Sequence, residues 1–187
     1  MPKVAVAWEH IIFRPPCSWL TVKKAAASTT SVDLTRLERC VYVIRFSHTY
    51  AVQYRHRASP TIYIGRGHFR QRITAHLQWL SNLSEKMSDL EIQVWFFAPR
   101  VKRTGNAYKT VEADLIEAFV RENGSVPWFN TSRPNPVYSY TYEPLLRFRH
   151  AVLQGRGSAY PWSIRPNSSD EMTELFYENF EAEPRNA

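Results

Sequence analysis

A chain of 187 residues is long enough for one domain with extensions. With 44% apolar and 14% aromatic residues it can bury a core, which excludes a wholly disordered protein. A net charge of +7 and a pI near 9.6 favour a polyanionic partner, although composition alone is a weak signal.

Cys17 and Cys40 are too few for a disulfide framework or a cysteine zinc site, so a reducing compartment is expected. The opening MPKVAVAWEH carries only a short apolar run, and no window reaches the length of a membrane span. The expectation is a cytoplasmic protein with no membrane partner. Charge is unevenly placed. Residues 41–80 hold six arginines and no Asp or Glu, whereas residues 170–187 hold six carboxylates against one arginine. A focused basic segment can steer a phosphate backbone.

In chain order, VAVAW reads as a short strand and FRPPC as a turn, because paired prolines cannot continue a helix. AAASTTSVDLTRLE reads as a loop entering a short helix, with Ser31 or Asp33 as cap. CVYVIRF is β-branched and aromatic, a strand from Cys40. TIYIG is a second strand, and the segment between them reads as an elongated hairpin tip carrying Tyr50, Tyr54, Arg55, His56 and Arg57. FRQRITAHLQWLSNL has apolar residues at 69, 73, 77, 80 and 83, a helical spacing, with Arg70, Arg72 and His76 on its other face.

LEIQVWFFAP is a third strand, stopped by Pro99, with an apolar run that predicts burial on both faces. RVKRTGN is a basic loop containing Lys102 and Arg103. AYKTVEADLIEAFVRENG is a second helix with Gly124 as C-cap. VYSYTYEP reads as extended, LLRFRHAVLQ as a short helix ended by GRG, and ELFYENF as a helical turn in an acidic, Pro/Ser-rich tail. The division is an N-terminal extension (1–39), a core (40–133) and a C-terminal extension with a partly flexible tail (134–187). The fold class is α+β, with a small three-stranded antiparallel sheet flanked by helices.

Tyr42, Tyr63, Arg72, His76, Glu112 and Asn130 are polar residues that no core role requires. Each has an ordinary explanation alone: a sheet tyrosine, a solvated helix face, a dipole-compensating glutamate, a turn asparagine. In order, CVYV, IYIG, R-x-x-x-H, VEADLIEAF and PWFN resemble the GIY-YIG nuclease superfamily over about residues 40–131. Two positions depart from it. Cys40 and Val41 replace the glycine and isoleucine of the first triplet, and the two tyrosines are farther apart than in compact members.

The resemblance implies a metal-dependent endonuclease. Glu112 would hold Mg²⁺ or Mn²⁺, since a hard cation is often bound by one carboxylate plus phosphate oxygens and waters. Glu117 lies five residues on, roughly 140° around the helix, and faces elsewhere. Arg72 would grip the phosphate as a charged fork. Tyr42 is the favoured general base and Tyr63 the positioning group. A free tyrosine titrates near ~10, so it needs a depressed pKa or a proton acceptor, and His76 and Arg72 are the expected sources. Asn130 would hold the active-site loop or a metal-bound water.

Arg66 and Arg70 read as backbone contacts. Arg55 and Arg57 at the hairpin tip, with Lys102 and Arg103 in the basic loop, read as substrate-selecting contacts. The leading function is a DNA endonuclease of restriction or mobile-element type, acting as a homodimer or one strand at a time. The alternatives are a nuclease toxin or effector, and a non-catalytic nucleic-acid-binding module on the same fold.

Overall fold

The computed structural model describes residues 1–102, 104–136, 139–152 and 162–164. The elements in chain order are β1 (Lys3–Ala5), β2 (Glu9–Phe13), α1 (Trp19–Ala27), β3 (Cys40–Phe46), β4 (Tyr50–Gln53), β5 (Ala58–Ser59), β6 (Thr61–Gly67), α2 (Phe69–Ser84), β7 (Ile92–Phe97), α3 (Ala107–Asn123), β8 (Thr141–Glu143), α4 (Leu145–His150) and β9 (Trp162–Ile164). Helices and sheets are both present, as the α+β reading expects.

The central sheet has four strands in the order β2-β7-β3-β6, not three. All its pairings are antiparallel. The extra strand, EHIIF, pairs Ile11 with Val94 and Phe13 with Ile92. Its alternation is short, bounded by a polar Glu-His start and Pro15-Pro16, so it carries little signal along the chain. Its apolar residues become a strand because β7 offers an edge to pair with. β3 lies inside the sheet, and every residue except Arg45 is buried.

The two faces are covered by different helices. Phe69 of α2 meets Tyr42 edge-on at 6.1 Å and Phe96 at 4.8 Å. α3 packs on β3 and β6 from the other side, burying Val111, Leu115, Ile116 and Phe119. Gly124 caps α3 with a φ of 83°, a left-handed conformation that suits glycine. On β7 burial on both faces is only partial: Ile92, Val94 and Phe96 are buried on one face, whereas Gln93 and Trp95 on the other are half-buried.

α1 departs from the expected position. It begins after the proline turn, with Ser18 accepting from the Thr21 amide at 3.4 Å. Asp33 instead closes a local turn, accepting from the Thr35 amide at 3.0 Å and the Thr35 hydroxyl at 2.6 Å. Such side-chain bonds compete with helix formation and keep 31–38 non-helical.

The segment after β3 is not a free hairpin tip. β4 pairs with β5 and, in parallel, with β9. Tyr54 is buried; its hydroxyl donates to the Thr61 carbonyl at 2.6 Å and accepts from the Trp128 amide at 3.0 Å. Tyr50 donates to the Ser88 carbonyl at 2.9 Å. These tyrosines are anchors, because each ring fills a gap while its hydroxyl satisfies backbone. β1 and β8 form a separate parallel pair. The expected extended and helical segments near 137–152 correspond to β8 and α4, whereas the GRG ending and ELFYENF lie outside the described residues. No helix among the described residues is long and apolar enough to cross a membrane.

Candidate functional site

Tyr42 is register partner of Gly65, and Tyr63 of Ile44, so both tyrosines project from the α2 side of the sheet. Their ring centroids are 6.0 Å apart. The glycine between them is a spatial requirement. A Cβ at Gly65 would lie 2.4 Å from the Tyr63 ring and 2.6 Å from the Tyr42 hydroxyl.

α2 supplies the next two groups from one stripe. Arg72 donates through Nε to Tyr42 Oη at 3.3 Å and through Nη2 to Tyr63 Oη at 3.1 Å. Its stem passes Gly67, whose φ of 121° suits only glycine. One turn on, His76 Nε2 is 2.9 Å from Tyr42 Oη. The other ring nitrogen, Nδ1, accepts from the Trp79 indole N–H at 3.0 Å. An indole only donates, so Nδ1 carries no proton and Nε2 does. Burial, with help from the nearby Arg72 charge, lowers the His76 pKa to about 4, so the ring is neutral.

Tyr42 Oη therefore accepts two N–H donors. His76 is a donor here and not the proton acceptor that the sequence suggests. Burial also raises the Tyr42 pKa well above the ordinary phenol value, and the neighbouring Tyr63 adds to this; Arg72 pulls it down, but less. The expected depression of Tyr42 is thus reversed, because the hydroxyl is desolvated more strongly than Arg72 can offset.

Along β6 the side chains alternate, so Ile64 and Arg66 face α3. Arg66 Nη1 lies 3.1 Å from Glu112 Oε2 and donates to the Lys109 carbonyl at 3.3 Å. The Glu112 side chain is only 12% exposed. Burial pushes its pKa up to about 7, against the opposing pull of Arg66 and then Arg72. Glu117 faces away, as helix geometry requires, and pairs with Arg133 and with Arg121. Asn130 holds the chain after α3 on the outer edge of β6. Its Oδ1 accepts from the Ile64 amide at 2.9 Å and its Nδ2 donates to the Ile64 carbonyl at 2.8 Å. Phe129 stacks on Trp79 at 4.2 Å, tying this segment to α2.

Among the described residues no group of three or more His, Cys, Asp or Glu is placed to hold a metal. The donor set does suit a hard cation bound through one carboxylate. Glu112 is desolvated and released from its proton near neutrality, and a cation would compensate a charge that burial disfavours.

The basic candidates separate into two regions. Arg70 is exposed on α2, two residues from Arg72. Arg57 pairs with Glu122 at 2.8 Å, and the backbone of His56 bonds Asn123, at the far end of α3. Glu112 and Glu122 are ten residues apart, about 15 Å along the helix axis. Arg55 and Arg57 thus do not converge on the site, because the tip folds back onto the end of α3. Lys102 is exposed, and Arg103 lies outside the described residues.

Arg39 escaped the reading along the chain, and Arg100 entered it only as the first residue of the basic loop. Arg39 immediately precedes β3 and Arg100 shortly follows β7. The pairing of Val41 with Phe97 brings them to the same end of the sheet. Trp79 escaped it too, since its apolar body hides an N–H that a histidine can use. The chain matches no family model, no curated protein and no solved structure.

Proposed function

We propose that this chain is a divalent-metal-dependent endonuclease of the GIY-YIG kind, hydrolysing DNA phosphodiester bonds. One observation carries the reading: an exposed arginine, Arg72, is held by the hydroxyls of two tyrosines from adjacent strands. Two hydroxyl acceptors fix its guanidinium without neutralising it. The remaining N–H groups are then free to grip a phosphate and the charge that grows on it during attack.

Each group then has a distinct task. Arg72 binds and orients the phosphate. Tyr42, fully buried and fed by two donors, positions Arg72. Tyr63 is only half-buried and shares the same guanidinium, so burial favours it over Tyr42 as the hydroxyl that meets attacking water. His76, held neutral, keeps the Tyr42 hydroxyl in place through Nε2–H. Asn130 fixes the edge of β6 that bears Tyr63. Glu112 would hold Mg²⁺ or Mn²⁺, which when bound supplies charge neutralisation at the phosphate and acidifies water.

Incubation of supercoiled plasmid with the protein tests this. Cutting is expected with Mg²⁺ and not with EDTA. A duplex cutter with one such site per chain would work as a homodimer or nick one strand at a time, and the ratio of nicked to linear product separates these. Binding without cutting, on duplex, single strand and RNA alike, would transfer the reading to a non-catalytic binding module. Sequence-independent degradation with lethality on expression would favour a toxin or effector.

A further inference from the structure

A groove of about 430 Å³ lies between the segment before β3 and the segment after β7. Arg36, Arg39, Arg100 and Glu38 are among its lining residues. Arg36 is engaged by Asp33 at 3.4 Å. Arg39 and Arg100 are exposed and have no ion pair among the described residues. The Arg39 guanidinium lies over Gly105: a Cβ there would fall 2.6 Å from Nη1, the free end of a flexible side chain. Gly105 leaves room for the guanidinium to lie against the basic loop.

The groove meets the strand end and the helix start that lead into the candidate site. Cys40, next to Arg39, is register partner of Gly67, against which the Arg72 stem packs. The Leu37 carbonyl accepts from the Phe69 amide at 2.8 Å, joining the groove wall to the start of α2. Guanidiniums with no ion pair among the described residues, beside a phosphate-gripping arginine, suit a continuing polyanion better than an isolated ion. We infer that Arg39 and Arg100 form a second phosphate subsite, which takes the sugar-phosphate backbone of the nucleic acid whose scissile phosphate lies on Arg72. This rests on the nuclease reading for its ligand. Such contacts set affinity and salt dependence and carry no base information.

The test is binding of a fluorescent DNA oligonucleotide by the full chain in EDTA, titrated at several salt concentrations. Arg39→Ala and Arg100→Ala should each weaken binding at low salt and reduce the salt slope by about 1. Arg39→Lys should keep the slope, and Arg147→Ala, an equal change of charge on α4, should leave it unchanged. Unaltered slopes in the two groove variants would overturn the subsite. So would an equal loss in Arg147→Ala, which would reduce the effect to net charge. Competition by inorganic phosphate or a mononucleotide as effective as the oligonucleotide would also overturn it, in favour of a small-anion site. Reduced slopes in a protein that never cuts DNA with Mg²⁺ would keep the subsite and reject the nuclease. Absence of oligonucleotide binding would remove both.

Discussion

At the level of single residues, the chemistry turns on which proton sits where. Trp79 sets the His76 tautomer through one hydrogen bond. Trp79→Phe keeps an aromatic ring, though a smaller one, and removes the N–H, so His76 should populate both tautomers, visible as changed imidazole nitrogen shifts by NMR. Cleavage should fall by about fivefold, the equivalent of one hydrogen bond of roughly 1 kcal/mol. Unchanged nitrogen shifts would contradict the tautomer assignment. Tyr63→Phe should cost more activity than Tyr42→Phe at equal thermal stability. The reverse order would return the base role to Tyr42.

Glu112 adds a pH dependence of known sign. The folded protein holds its proton more tightly than the unfolded chain, whose value is near 4.5. Its stabilising contribution is therefore complete below about 4.5 and is lost as pH rises through about 7. Metal binding needs the carboxylate and runs the other way, so Mg²⁺ affinity should rise between pH 6 and 8. Glu112→Gln should flatten the dependence of thermal stability on pH across this window. A slope unchanged in that variant would assign the titration to another group.

Among the elements, the two strands and helix bearing Tyr42, Tyr63, Arg72 and His76 were legible because each follows a simple period. Strand alternation and a one-turn helix spacing survive whatever surrounds them. β2 was not legible, since five residues with a polar start become a strand only against the edge of β7. α1 was misplaced because Ser31 and Asp33 look like caps, whereas Asp33 spends its oxygen on Thr35. The YIG glycine can be tested directly. Gly65→Ala should overpack the tyrosine pair, with a loss of about 1–3 kcal/mol in stability and most of the activity. Retention of both would mean that the tyrosine rings have room to separate.

Across the molecule, topology assembles a basic surface that the chain order hides. Arginines from before β3, near the end of β6, on α2 and after β7 reach one end of the sheet through antiparallel register. Arg55 and Arg57, equally basic in sequence, go to the other end of α3. Charge density along the chain therefore does not show which of the arginines the fold brings together. The carboxylate was legible as a helix residue with a partner motif. Its raised pKa was not, because it depends on burial beside Arg66 that only the fold creates.

The most direct measurement compares wild type and Glu112→Gln on supercoiled plasmid, with Mg²⁺ and with EDTA. Nicked or linear product from the wild type only with Mg²⁺, together with intact plasmid from a folded variant that still binds DNA, is the expected result. Equal cutting by the variant, or cutting by the wild type in EDTA, would contradict a metal-dependent site built around Glu112.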